Sequence, residues 1–335
     1  MKRLTVVGAL ALGSSALAGD FEGKQPRELG SVRWHRQLDE ALADAKSTGK
    51  PVFLVFQEIP GCGTCVGFGQ RVLSHPVLAD AIENEFVPLA IHNNKGGHDG
   101  EVLKKYDEPA WNNPVVRFLD AQGKDVIARK DGVFDAGDVG ARMIATLEAA
   151  KRPVPAYLRL AVSELRAARA EKATFAMACY WEGESQLGAL DGVLATRTGS
   201  LEGREVVEVL FDPAVVSLAD LGKKAAAAGC ASIAGNARDA SHSDQKYYLE
   251  RSPLRFLPLT PLQATRINSA LRFGRDGSEW LGPREQALAK RIEQVLAAKP
   301  GALDDLARPD SLPDLAEYEA RLSERLDASL PAKSR

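Results

Sequence analysis

Cysteine is scarce in this chain of 335 residues. Four are present, too few to staple a fold of that length, so a disulfide scaffold is excluded. Neither sign of charge is in surplus: 43 basic residues against 45 acidic ones leave a net charge of -2, without the basic footprint that nucleic-acid binding needs. Apolar runs are short, and none reaches the ~20 residues that span a bilayer, so no stable membrane anchor is expected. There is no internal repeat, and 29 Gly and 18 Pro are far from collagen-like or disordered proportions. What remains is an ordinary globular composition, 45% hydrophobic and 26% charged. At roughly 150 residues per domain, the length suggests about two domains. The four cysteines, Cys62, Cys65, Cys179 and Cys230, are therefore expected to serve chemistry rather than scaffolding.

The first residues read as a targeting segment. Lys2 and Arg3 precede a short apolar stretch from Leu4 to Leu12, and Ala16-Leu17-Ala18 is a small-x-small cleavage pattern. A signal peptide over 1–18 is expected, in preference to a membrane anchor. The mature protein is then expected in the periplasm or secreted, where thiols meet an oxidising environment.

Periodicity outlines the rest. Leu38, Ala41, Leu42 and Ala45 make the stripe of an amphipathic helix that Gly49 stops. Pro51 to Phe56 is a continuous apolar run suited to a buried central strand. It leads into Cys62-Gly63-Thr64-Cys65 and a helical stretch interrupted at Pro76. Strands follow at Val87 to Ile91 and Val115 to Leu119, then a hairpin arm at Asp125 to Arg129 and a helix from Asp138 to Ala150. Lys151 to Pro155 resembles a hinge, with a charged spacer helix from Tyr157 to Ala170. A second pattern begins at Lys172: strand, helix, strands near Val193 and Val206, and a helix from Leu218 to Ala228. The tail is helical. The expected divisions are 31–152, a linker helix at 153–171, a second domain at 172–275 and a C-terminal tail at 276–335.

Cys62 and Cys65 lie between a buried strand and a helix. Helix amides stabilise a thiolate at Cys62, and Cys65, about one turn on, can attack a mixed disulfide formed there. The alternatives are a structural disulfide or half a zinc site. His75, His92 and His98 show no paired ligand spacing, so no metal or cofactor is expected and the histidines read as surface or packing residues. The arrangement resembles the thioredoxin superfamily over about Ser31 to Lys151. That resemblance implies that Pro114 is a cis-proline facing the dithiol and receiving an extended substrate backbone. Ile59-Pro60-Gly61-Cys62, with Cys65 three residues on, also resembles a bacterial thioredoxin-like group of the Val-Pro-Gly-Sec-x-x-Thr type, in which the first redox position can be selenocysteine.

Cys179 again ends a strand and opens a helix, in Ala178-Cys179-Tyr180-Trp181-Glu182-Gly183-Glu184. Tyr180 and Trp181 could wall a small apolar pocket. Glu205 shares a strand face with Val207, Val209 and Phe211, so burial is expected to raise its pKa and keep it an acid. The alternative is a buried structural cysteine with two core aromatics and a surface glutamate. This stretch, with Leu190-Asp191-Gly192-Val193, Glu205-Val206-Val207-Glu208-Val209, Asp212-Pro213 and Leu257-Pro258-Leu259-Thr260-Pro261, resembles the A-type peptide methionine sulfoxide reductases over about Lys172 to Leu271.

The resemblance implies that Cys179 attacks the sulfoxide sulfur, that Tyr180 and Trp181 hold the substrate methyl group, and that Glu205 protonates the departing oxygen. It also implies a late hydroxyl from Tyr247 or Tyr248 and an aspartate from Asp244 or Asp239. This chain departs from the family pattern at Ala178, Tyr180 and Gly203-Arg204, and its loop from Thr198 to Arg204 is short. Cys230, after Gly229 and among small residues, is either a mobile resolving thiol, a buried small residue or a partner for the dithiol.

The expected fold class is α/β (α+β), a thioredoxin-like domain followed by a ferredoxin-like domain of the methionine sulfoxide reductase A type. The expected function is thiol-based reduction of oxidised methionine in proteins or peptides. The alternatives are a redox-responsive binding protein with a degenerate reductase domain and a plain thiol-disulfide oxidoreductase.

Overall fold

The computed structural model describes residues 25–167, 169–241, 244–309 and 312–329. The signal-peptide expectation for 1–18 falls outside them. No described helix is long and apolar enough to cross a membrane.

The first sheet has three strands. Helix α1 (Leu38–Thr48) ends at Gly49, whose φ of 68° suits glycine, and the chain turns into β1 (Val52–Gln57). Helix α2 (Gly63–Arg71) and α3 (Pro76–Glu85) follow, with Pro76 opening α3. Strand β2 (Val87–His92) pairs parallel to β1, and β3 (Val115–Leu119) pairs with it antiparallel, giving the order β2-β1-β3. Every residue of β1 is buried because both faces are covered. Phe53 and Val55 enter the core beneath α3 and α5 (Ala136–Ala149). Val52, Leu54 and Phe56 enter the core on the opposite face with Leu38, Ala41 and Ala45 of α1.

One helix adds to the expected elements and two expectations are corrected. The loop after β2 contains α4 (His98–Lys105), whose Val102 and Leu103 face the core and whose charges suit the helix dipole, Asp99 and Glu101 early and Lys104 and Lys105 late. The hairpin arm at Asp125 to Arg129 is reduced to one bridge, Leu119 to Asp125. Its side chains turn away to ion pairs, Asp125 to Arg117 at 2.6 Å and Arg129 to Glu108. The spacer helix α6 (Ala156–Arg166) is packed, not free: Tyr157, Leu158 and Ala161 lie in the first core. Its Leu160 meets Leu194 and Leu262 of the following region.

The second sheet runs through β4 (Glu171–Ala176), α7 (Tyr180–Gly188), β5 (Val193–Leu201), β6 (Arg204–Phe211), α8 (Leu218–Ala227) and β7 (Ala231–Ile233). The short β8 (Arg238–Asp239) adds to the edge, and the order is β7-β4-β6-β5-β8 with every pairing antiparallel. A βαββαβ chain with its fourth strand beside its first is the ferredoxin-like arrangement. Phe175, Val207, Val209 and Phe211 pack beneath α7 and α8.

Helices α9 (Tyr247–Glu250), α10 (Pro261–Arg272), α11 (Pro283–Ala298) and α12 (Leu312–Ser329) complete the chain. The tail is not loose, since Tyr318, Leu322 and Leu326 are buried with Phe256 and Ile292. It also meets the first region. Arg284 pairs with Glu83 at 2.7 Å, Glu83 also binds Arg33 at 2.7 Å, and the Arg284 amide donates to Asp80 at 3.1 Å.

Burial pushes Asp80 up to about 6 and Glu285 up to about 8. The Gly282 amide and the Gln263 side chain partly offset the burial of Glu285, while Asp80 and Glu319 add to it. A raised carboxyl pKa means that the folded chain holds a proton the unfolded chain releases, so stability falls as pH rises toward the folded value. His75 and His92, pushed by burial down to about 4, act in the opposite sense below about pH 6.5. We therefore expect the unfolding free energy to fall between about pH 6.5 and 8, at up to about 1.4 kcal/mol per pH unit, and the thermal midpoint to fall with it. Glu285→Gln should flatten that slope, and an unchanged slope in melts of this variant would refute the assignment.

Candidate functional site

The dithiol sits where β1 gives way to α2. After Gln57 the chain passes Glu58, a cis Ile59-Pro60 bond and Gly61, and Cys62 becomes the residue that caps α2. Gly61 is required sterically: a Cβ there would lie 2.4 Å from the Glu58 carbonyl oxygen and 2.6 Å from the Cys65 Cβ. Cys62 is exposed, and the backbone amides of Cys65 and Thr64 lower its thiol pKa. Cys65 is fully buried, and burial pushes it up to about 11. Its thiol donates to Asn113 Oδ1 at 2.7 Å, and the two sulfurs are 4.0 Å apart as free thiols. The Asn113-Pro114 bond is cis, so Pro114 adjoins the residue that contacts Cys65.

Several supporting groups escaped the sequence reading. Gln57 Nε2 donates to the Glu28 and Cys65 carbonyls, at 2.7 and 3.2 Å, and the Glu28 carboxylate accepts from the Gly61 amide at 2.8 Å. Glu28 lies 33 residues before Gly61, so no local spacing announces the bond. Asn113 likewise reaches Cys65 from 48 residues away. Trp111, two residues earlier, is 81% exposed. Two of the histidines are engaged elsewhere: His75 Nδ1 accepts from the Leu78 amide, and His98 Nε2 accepts from the Leu38 amide.

Cys179 likewise caps α7 directly after β4. It is partly exposed. Glu205 accepts from the Tyr180 amide at 2.8 Å, which fastens the start of β6 to the first turn of α7. Glu205 is exposed, which corrects the expectation of a buried acid: the first two residues of β6 project beyond the covered part of the sheet. The aromatic residues do gather. Trp181 stacks on Tyr247, centroids 3.9 Å apart and planes 25° apart, and the Arg251 guanidinium lies 3.4 Å from the Tyr247 centroid. Tyr180 stands 5.8 Å from Trp181.

The Tyr180 phenol pKa is raised, chiefly by burial and then by Asp244 and Glu205. That of Tyr248 is raised by burial, by donation to Glu182 at 2.9 Å and by a charge on Cys179. Of the two candidate aspartates, Asp244 is thus the one beside Tyr180, whereas Asp239 pairs with Arg197 at 2.9 Å. Glu184, fully buried, binds the Lys246 ammonium at 3.0 Å, the Lys246 amide at 2.9 Å and Thr196 Oγ1 at 3.2 Å. This ties α7 to the segment that carries Tyr247 and Tyr248.

Of the three alternatives for Cys230, the structure fits the buried small residue. It is 4% exposed, packs in the core with Phe175 and Val207, and its thiol contacts the Ala228 carbonyl at 3.7 Å. Burial raises its pKa.

Residues 33–121 match a family model described as Thioredoxin-like. The peptide methionine sulfoxide reductase MsrA of Methanothermobacter thermautotrophicus is 40% identical over 70 residues, 16% of this chain and 41% of that protein. The chain thus spans less than half the length of that relative. A solved DsbH oxidoreductase aligns at a TM-score of 0.30 and 20% identity, over 40% of this chain and 95% of that one. A thioredoxin-like domain is therefore present, together with a further sheet-containing region.

At pH 7.5, limiting iodoacetamide should label Cys62 first and Cys65 last, because the thiolate is the reacting form. Peptide mapping that finds Cys65 labelled first would contradict the assigned roles.

Proposed function

We propose that this protein is an exported thiol-based oxidoreductase that reduces oxidised methionine in proteins or peptides, with electrons supplied by Cys62 and Cys65. The thioredoxin-like family match and the unequal thiols of that pair support the coarser reading, a thiol-disulfide oxidoreductase. The finer reading rests on one observation: Cys179 opens α7 beside the Trp181–Tyr247 stack, and Glu205 is bonded to the very next amide. Export rests on the 1–18 leader, and the division at 31–152, 153–171, 172–275 and 276–335 is part of the same proposal.

In this reading the Cys179 thiolate attacks the sulfoxide sulfur. The oxygen is transferred to Cys179 as a sulfenic acid and the thioether leaves. Tyr180 and Trp181 hold the methyl group by apolar contact. Glu205 carries the proton, and the Tyr180 and Tyr248 phenols are held protonated at neutral pH; each donates to a carboxylate, Asp244 and Glu182, and would exchange that bond for one to the sulfoxide oxygen. A thiolate at Cys62 then displaces hydroxide from the sulfenic acid, which leaves as water, and Cys65 attacks Cys62 to release Cys179. Two thiols and one sulfoxide give one disulfide, one thioether and one water.

A second reading, the plain thiol-disulfide oxidoreductase, is favoured by the exposure of Glu205 and the burial of Cys230. Turnover of a methionine sulfoxide peptide with dithiothreitol separates the two. The wild type should turn over, Cys179→Ser should lose all activity, and Glu205→Gln should lose about 10²-fold in kcat/KM. Absence of turnover in wild type that still reduces insulin disulfides would establish the second reading.

A further inference from the structure

No second pair of Cys or His ligands follows Cys62 and Cys65 in sequence, yet a third donor stands beside them in space. Glu58, directly after β1, brings a carboxylate oxygen within 4.8 Å of both sulfurs. The sulfurs are 4.0 Å apart. Two thiolates on one tetrahedral zinc ion, each at about 2.3 Å, stand roughly 3.8 Å apart. The pair is thus spaced for a shared ion, whereas a disulfide requires closure to about 2.05 Å. A carboxylate oxygen at about 2.0 Å from the same ion lies roughly 3.5 Å from each sulfur. Glu58 is half-buried, and rotation of its side chain covers that difference.

We propose that Glu58, Cys62 and Cys65, with the dithiol reduced, form a binding site for a thiophilic divalent cation, Zn2+, with water as its fourth ligand. Two thiolates and one carboxylate favour zinc over magnesium or calcium, which take all-oxygen shells. The exposed Cys62 supplies the entry side, and Gly63, the first residue of α2, has nothing within 4 Å of where a Cβ would stand. Three anionic donors around a dication leave one negative charge, which faces the amides of Thr64 and Cys65 at the start of α2. Binding expels the remaining thiol protons to solvent, and the bond from Cys65 to Asn113 loses its hydrogen. Because the metal occupies the sulfur lone pairs that attack disulfides, the zinc-bound form is silent in thiol exchange. The site depends on the free thiols of this pair and not on the sulfoxide reading, so either can fail alone.

The reduced full chain, carrying Cys179→Ser and Cys230→Ala to remove the other thiols, is titrated with Zn2+ against a chromophoric chelator. It is titrated in parallel with Co2+ in the spectrometer. One ion per chain is expected, with thiolate-to-cobalt charge transfer and tetrahedral ligand-field bands. Cys62→Ser and Cys65→Ser should each abolish tight binding, and the oxidised chain should bind none. Glu58→Gln should weaken Zn2+ at least about 10-fold and alter the ligand-field bands. Unchanged affinity and spectrum in Glu58→Gln would reduce the site to simple dithiol chelation, and no stoichiometric binding by the parent would overturn it outright.

Discussion

Backbone amides at the start of a helix, aimed back toward the end of a buried strand, govern the cysteine chemistry of this protein. The strand is held by packing on both faces, so its last residue is fixed, and the first helical turn places its unpaired N–H groups against whatever caps it. At α2 the cap is Cys62, and two of those amides serve its sulfur. Cys65, one turn later, faces inward, where burial disfavours the thiolate. One geometric constraint thus separates two chemically identical thiols into an exposed one of lowered pKa and a buried one of raised pKa. At α7 the cap is Cys179, but the Tyr180 amide is engaged by Glu205. The same field is shared there with a carboxylate.

Packing makes these positions durable. Glu184 and Lys246 are a buried pair, and removal of one partner from such a pair typically costs about 3–5 kcal/mol. The pair joins α7 to Tyr247 and Tyr248, so the aromatic cluster beside Cys179 depends on an ionic contact more than 60 residues apart in the chain. Further out, α6 inserts Tyr157 and Leu158 into the first core while Leu160 reaches Leu194 and Leu262. The Glu164 carboxylate also accepts from the Leu262 amide at 3.1 Å. The two sheets are therefore joined by a packed helix rather than a tether.

Much of this was legible locally. Val52 to Phe56 reads as a buried strand because both faces carry large apolar groups, and both cysteine motifs read as strand-to-helix junctions. The alternation of Val207, Val209 and Phe211 placed them on one face, and all three share the second core. What escaped depends on contacts far apart in sequence. Glu205 has the correct parity for burial, but it precedes the point where neighbours cover β6. The strand expected at Asp125 to Arg129 lost its ladder to Arg117 and Glu108, 8 and 21 residues away. The small residues around Cys230 suggested motion, whereas β7 pairs Ala231 with Ala176 and draws Cys230 into the core. Glu28, Gln57 and Asn113 converge on the dithiol only after folding.

Under the proposed function, oxidising equivalents taken up at Cys179 reach the Cys62–Cys65 pair. Fully reduced protein is treated with one equivalent of a methionine sulfoxide, quenched by acid and alkylation, and its disulfides are mapped by mass spectrometry. The wild type should form a Cys62–Cys65 disulfide, Cys65→Ser should trap a mixed disulfide at Cys62, and Cys179→Ser should show no oxidation. A Cys62–Cys65 disulfide that still forms in Cys179→Ser would contradict it.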